Sequence, residues 1–330
     1  MKKYLFFSAL IVLLFSACST KEVYKPKSLG DKWKKYESLK LDLVDVASNA
    51  ALLEDRSVVS ASKHIKVKIP KSHRILASSD KWVISASIDG NITLASVTDK
   101  TLQESMDLKK TIATANVEGD ILAVLFADNE MALYDIPSKT PLFKEQGSSA
   151  SVVDSRIPPP YFMDGLVLFA TLDGKIVIVN IELKKRLRTA IVSSEDNFNN
   201  VIYINVVDNR VIAATTYKIL SMSQKDTRAK YEIRNVAFGE KSVYVTTKQG
   251  EVIALTLDLQ VDSKLKFPFA HFLGMVALDE KLYLLEKEGY MIVIDKKSFD
   301  YAVHEVDMDD GFIFVGEKLF YVNNKKILLE

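Results

Sequence analysis

Apolar positions in this chain come in short, dense runs separated by polar turns. The clearest case is 164–181, DGLVLFATLDGKIVIVNI. Asp164-Gly165 makes a turn, and Leu166–Leu172 is an apolar, β-prone run. Asp173-Gly174 is a strong hairpin signal, because a type I′ turn needs positive φ at both central positions. Lys175–Ile181 then runs back, rich in Val and Ile. Leu166, Leu168 and Ala170 fall on one face of the first run, and Val167 and Phe169 on the other. A strand apolar on both faces is a strand covered on both sides.

The same hairpin recurs. Counting 164–181 as the fourth, the others are Ser57–Ile69 (turn near Ser62-Lys63), Lys81–Val97 (Asp89-Gly90), Asp120–Ile136 (Asp128-Asn129), Asn209–Met222 (near Tyr217-Lys218), Lys241–Leu257 (Gln249-Gly250), Lys281–Asp295 (Glu288-Gly289) and Lys318–Leu329 (Asn323-Asn324). Most are spaced by the mid-thirties to mid-forties of residues, the length of a four-stranded propeller blade. A more polar run follows each hairpin, as at Arg186–Val192 or Asp300–Val306, and suits an outer strand. A shorter run precedes the next, as at Ile112–Val117, Tyr203–Val207 and Val236–Phe238, and suits an innermost strand. One four-stranded sheet cannot bury two apolar faces alone, whereas blades packed in a closed ring can.

The fold expected is therefore all-β: a β-propeller of four-stranded blades, eight blades with seven as the alternative, closed by an N-terminal strand. Leu39–Val46, LKLDLVDV, alternates cleanly and is expected to supply the outer strand of the last blade. The first unit fits least well, with about 27 residues between its turn and the next, short of a full blade. Strands this short, doubly apolar and grouped in fours do not read as a transmembrane barrel.

The N-terminus is a targeting segment and stands outside the fold. Lys2-Lys3 precede an apolar Tyr4–Phe15 that is too short to span a bilayer comfortably. Phe15-Ser16-Ala17-Cys18 resembles the lipobox of bacterial lipoproteins, with Phe15 where that family usually has Leu. The resemblance implies a signal peptide over 1–17, cleavage before Cys18 and acylation of Cys18. Ser19, not Asp, follows, which in that family favours the outer membrane. Residues 18–38 are Lys-rich and read as the lipidated Cys and a flexible tether, leaving 39–330 as the propeller domain.

Charge and chemistry narrow the function classes. The 44 basic and 43 acidic residues nearly cancel, so no global attraction to nucleic acid is expected. Cys18 is the one cysteine, so the exported domain must rely on its core without disulfides. His64, His73, His271 and His304 are widely spaced and read as surface or loop residues. The hydrolase, Walker, zinc-protease and CxxC motifs are absent, and no turn has EF-hand spacing. No catalytic residue, metal or cofactor is expected, and no small-molecule substrate is evident.

Two loops stand out. Glu145–Pro160, EQGSSASVVDSRIPPP, ends in a triple proline that favours an extended, preformed surface. Arg156, Pro158, Pro159, Pro160 and Tyr161 are the candidate partner-binding residues, since Arg and Tyr are common at hot spots. The second loop is Ser193–Asn200, with Phe198 expected to be exposed. Insertion tolerance on a loop surface is the alternative for both.

Lipobox, tether and about eight hairpin repeats together resemble the BamB-like outer-membrane lipoproteins of the quinoprotein-dehydrogenase-like propeller superfamily. The resemblance implies a non-catalytic, periplasm-facing scaffold on the outer membrane. It also implies an accessory role in the β-barrel assembly machinery, with the barrel-assembly core protein as partner and membrane lipid engaged through acylated Cys18. The superfamily's quinone enzymes carry a Trp near each repeat end; this chain has only Trp33 and Trp82. A quinone-dependent or carbohydrate-active propeller enzyme, or another cell-envelope binding protein, are the alternatives.

Overall fold

A computed structural model describes residues 22–99 and 101–330. The expected signal peptide and Cys18 lie outside the described residues. Eight four-stranded antiparallel sheets follow one another, and no α-helix occurs among the described residues. Eight blades, not seven, form the ring. In blades 1 to 7 the four strands run in chain order from the innermost outward, starting at Leu43, Arg74, Ile112, Tyr161, Tyr203, Ile233 and Phe272. Blade 8 takes Ile313–Val315, Leu319–Val322 and Lys325–Leu328 from the C-terminus and its outermost strand, Tyr36–Ser38, from the N-terminus.

The second and third strands of blades 1 to 7 are mostly buried, as at Val167–Ala170 and Val252–Leu255. The core is accordingly a set of eight apolar seams, one between each pair of neighbouring blades. The seam between blades 8 and 1, where the ring closes, is the thinnest. It holds six buried residues against sixteen between blades 2 and 3.

Polar side chains of the innermost strands stitch neighbouring blades together. Asp45 Oδ2 accepts the Ile75 N–H (3.1 Å), Asn116 Nδ2 donates to the Pro160 carbonyl (2.9 Å), and Asn235 Nδ2 donates to the Phe272 carbonyl (3.2 Å). Asp45, Asn116 and Asn235 all lie at or near an irregularity in strand pairing. A local break in the ladder leaves backbone groups that such side chains can satisfy.

Two elements differ from the sequence expectation. The first hairpin turns at Asp55-Arg56, joining Ala50–Leu53 to Ser57–Ser60, and not near Ser62-Lys63, which joins the third strand to the outermost. From Arg56 to Gly90 is then 34 positions, a full blade. The usual signal is hidden because Arg56 holds the left-handed backbone (φ 70°) that Gly90, Gly174 and Gly250 hold in other blades. Second, Leu43–Val46 is the innermost strand of blade 1, and Tyr36–Ser38 closes the ring.

The closing strand also corrects the domain boundary, because residues 24–38 are packed onto the propeller and are not a free tether. Tyr24 (5% exposed) sits edge-on against Phe267 and Tyr290. The Gly30 and Trp33 N–H groups donate to the Val303 and Glu305 carbonyls, covering the outer edge of blade 7. Trp33 is buried, and its Nε1 donates to the Leu328 carbonyl (3.1 Å).

Candidate protein-binding surface on blade 4

The two loops singled out by sequence fold into one structure. Residues 147–160 lead from the outermost strand of blade 3 to the innermost of blade 4, and 192–202 lead from blade 4 to blade 5. The Phe198 N–H donates to the Val152 carbonyl (2.8 Å). Asn200, fully buried, accepts the Asp154 N–H on Oδ1 (2.7 Å) and donates from Nδ2 to the carbonyls of Asp154 and Arg156 (3.1 Å each). Asn199 Nδ2 donates to the Asp173 and Ser193 carbonyls. Asn129, also fully buried, anchors the pair from blade 3: its Oδ1 accepts the Leu172 N–H (2.8 Å) and its Nδ2 donates to the Ser148 carbonyl (2.7 Å).

Asn129 holds φ 69°, a conformation Asn tolerates better than most residues. Asn129→Ala is expected to cost about 2–3 kcal/mol, because it strips a buried N–H of its acceptor and puts Ala in left-handed backbone. Limited proteolysis should then cut within 147–160, whereas the parent loop resists.

The five residues proposed from sequence also pack or bond within this loop. Pro158 and Pro160 are buried, Pro159 and Tyr161 half-buried. Proline has no N–H, so such a run enters a packed interior without orphaning donors. Arg156 is turned inward. Its Nε and Nη2 grip the Asp154 carboxylate (2.8 and 2.6 Å), and Nη1 donates to the Arg234 carbonyl of blade 6. Burial alone would raise the Asp154 carboxyl; the Arg156 guanidinium overrides it and holds the group below its ordinary range.

Arg234 Nη1 meets His271 Nε2 at 2.6 Å, and burial together with the Arg156 charge lowers the Arg234 guanidinium. Glu286, fully buried, accepts the His271 and Glu288 N–H groups (2.9 and 2.7 Å), and burial pushes its carboxyl up. This cluster ties the loop entering blade 4 to blade 6 through the Arg234 carbonyl, and blade 6 to blade 7 through the Arg234–His271 side-chain contact. His73 lies in the loop before the innermost strand of blade 2, as one of the two readings had it, and is buried there against Ser85.

The double loop exposes mostly polar residues, among them Ser148, Ser149, Ser194, Glu195 and Asp196, with two apolar side chains set between them. Val152 is 42% and Phe198 45% exposed. Phe198 also holds φ 52°, so a bulky residue stands exposed where Gly or Asn is favoured. Beside it runs the outermost strand of blade 4, Lys185–Ile191, of which all but Ala190 is exposed. Its Leu187 and Ile191 are each about half exposed. Arg186 and Arg188 pair with Glu145 and Asp226 on the neighbouring blades. A cleft of about 550 Å³ opens here, lined by Gln146, Ser148, Lys175, Leu187 and Ile191 among others. Sequence reasoning misses this strand because KRLRTAI carries mixed chemistry without a motif.

No family model matches the chain. A curated relative, the plasminogen-binding protein PgbB of Helicobacter pylori strain J99, is 34% identical over 221 residues, 64% of this chain and 41% of the relative. The PgbB of strain 26695 is 34% identical over 222 residues, with the same coverage. This chain thus matches less than half the length of those relatives. Among solved structures, BamB from Moraxella catarrhalis superposes with a TM-score of 0.65 at 12% identity, covering 89% of this chain and 98% of that one. The computationally designed Ika8 protein gives 0.65 at 15% identity, covering 91% and 100%. The C-terminal WD40 domain of Sif2 gives 0.66 at 11%, covering 92% and 99%. The chain has the BamB-like propeller fold that its hairpin repeats pointed to, and at these identities it is the fold alone that the solved structures share with it.

Proposed function

We propose that this chain is a lipid-anchored, non-catalytic binding scaffold of the cell envelope, and that it engages a protein partner through the double loop and open outer strand of blade 4. One observation carries the reading. Two long loops are locked together by buried Asn200 and the Phe198–Val152 backbone bond, and the locked pair displays Val152 and Phe198 beside an uncovered strand edge. Rigid support under exposed apolar side chains lowers the ordering cost of association, and an open edge can accept a partner strand.

The partner we propose first is the core protein of the outer-membrane β-barrel assembly machinery, with this chain as its accessory subunit facing the periplasm. Support comes from the lipobox at 15–18 and the BamB-like propeller. A second reading is favoured by the sequence similarity to PgbB, whose name assigns it plasminogen binding. On that reading the same surface would bind plasminogen.

The test is a crosslinked pulldown of the full-length protein from native membranes, beside binding of purified plasminogen. The double variant Val152→Ser, Phe198→Asn should lower capture by about tenfold or more, as for loss of hot-spot residues. Its melting temperature should stay unchanged, since both side chains are exposed and Asn suits the left-handed backbone at 198. Recovery of the barrel-assembly core protein supports the first reading, and capture of plasminogen alone the second. Equal capture by parent and double variant would overturn the surface assignment.

A further inference from the structure

A cavity of about 730 Å³ lies on the rim between blades 6 and 7. It forms where the N-terminal segment joins the ring. Tyr24 plugs the blade seam beneath it. Around it, Val23, Phe269 and Tyr301 are 37%, 59% and 46% exposed. Phe269 is held at φ 64°, so this rim repeats the costly arrangement of a bulky apolar side chain exposed on left-handed backbone. Lys25, Lys27 and Lys266 line the same cavity, and Glu22 is its one acidic group. Among the described residues Lys25 and Lys27 form no ion pair, and Lys266 has only a 3.8 Å contact with Glu251.

We propose that this rim is the membrane-facing edge of the propeller and docks on the anionic headgroups of a phospholipid bilayer. The inference rests on the reading of Cys18 as the lipid anchor. Cys18 lies four positions before Glu22, and four residues of fully extended chain reach roughly 14 Å. Whatever Cys18 is inserted into therefore lies within that reach of the patch. Exposed aromatic rings suit the bilayer interface, which has apolar and polar sides. Clustered lysines are drawn to anionic lipid. Seated this way, the ring stands with blades 6 and 7 on the membrane and blade 4 turned away from it.

The test exploits Cys18 as the sole cysteine. The chain from Cys18 onward is coupled through its thiol to maleimide-headgroup lipid in phosphatidylglycerol-containing vesicles with brominated acyl chains, which quench tryptophan at the interface. Two reporter variants are compared. Phe269→Trp lies in the patch; Ile88→Trp replaces a 76% exposed residue on blade 2, across the ring. Trp33 and Trp82 contribute the same background to both. Phe269→Trp should be quenched about twofold more than Ile88→Trp, and the difference should vanish when Lys25, Lys27 and Lys266 are changed together to Glu. Equal quenching at both positions, or none at either, would overturn the proposal. Because the tether here is chemical, the outcome does not depend on acylation in the cell. That reading is tested separately by mass spectrometry of Cys18 in protein from native membranes, where an unmodified thiol would remove the anchor but leave the vesicle result standing.

Discussion

Removing residues 22–38 is expected to open the ring and abolish cooperative folding, and Trp33→Ala alone is expected to cost roughly 3–5 kcal/mol, the usual range for truncating a large buried aromatic. The reason lies in how the ring closes. Tyr36, Glu37 and Ser38 pair with Ile327, Lys326 and Lys325 on the last C-terminal strand. Two further backbone bonds extend this short ladder: the Leu328 N–H donates to the Lys35 carbonyl (3.0 Å), and the Leu39 N–H to the Asn324 carbonyl (2.7 Å). The adjacent seam between blades 8 and 1 is the thinnest in the ring, so little apolar packing there can substitute for the lost strand.

Trp33 reinforces this closure. It is 8% exposed, packs edge-on against Tyr283 and His304, and donates from Nε1 to the Leu328 carbonyl. Its truncation leaves a cavity and takes a donor from that carbonyl. Guanidinium unfolding followed by circular dichroism checks both variants. A chain starting at residue 39 that unfolds at the parent's midpoint would restore the reading of 18–38 as a tether.

Gly250→Ala is expected to destabilise the ring by about 3 kcal/mol or more, beyond the roughly 1–2 kcal/mol that left-handed backbone costs an L-residue. Gly250 turns the central hairpin of blade 6 at φ 76°, and its carbonyl accepts the Phe267 N–H (2.7 Å). A Cβ on Gly250 would stand 2.1 Å from the Phe267 carbonyl oxygen, a backbone atom that cannot swing aside. Relief requires moving Phe267, and Phe267 is packed against Tyr24, Phe272 and Tyr301. The strain would therefore spread to the seam between blades 6 and 7 and to the N-terminal segment. Thermal unfolding should show the loss. Gly119→Ala is the control, because nothing lies within 4 Å of a Cβ there although its φ is also positive, 56°. Equal losses in the two variants would mean that backbone conformation, not the close approach, sets the cost.

Much of the fold is legible in the sequence because each blade repeats one physical solution. Asp89-Gly90, Asp173-Gly174 and Gln249-Gly250 announce hairpins through glycine, and the runs beside them are apolar on both faces because blades cover both. Blade 1 escapes where that chemistry lapses: Arg56 takes the left-handed position without the residue type that signals it. The closing strand escapes because Tyr36-Glu37-Ser38 is three residues long with no apolar alternation, while Leu39–Val46 nearby alternates well for a different reason, as part of an innermost strand. Trp33 and Tyr24 are the signs that the Lys-rich segment packs, since large aromatic residues seldom sit in a solvated tether.

The candidate site is legible in part. Loop length points to 145–160 and 193–200, and these two loops do come together. Their joining depends on Asn200, whose bonds span up to 46 positions of sequence, while Asn129 and Asn199 tie the loops to the Leu172–Asp173 turn of blade 4. Asparagine is ordinary in loops, so nothing local marks these three as clamps. The inward turn of Arg156 depends on a carbonyl in blade 6, and only the closed ring brings that carbonyl within reach.

Site-specific photocrosslinking in cells reads out the blade 4 surface itself. A photoreactive residue is placed at Val152, at Phe198, or at Leu183, which is 56% exposed on the other end of blade 4. A shared protein adduct is expected from 152 and 198 and none from 183. Adducts of equal yield at all three positions, or an adduct from 183 alone, would contradict a binding surface built on the double loop.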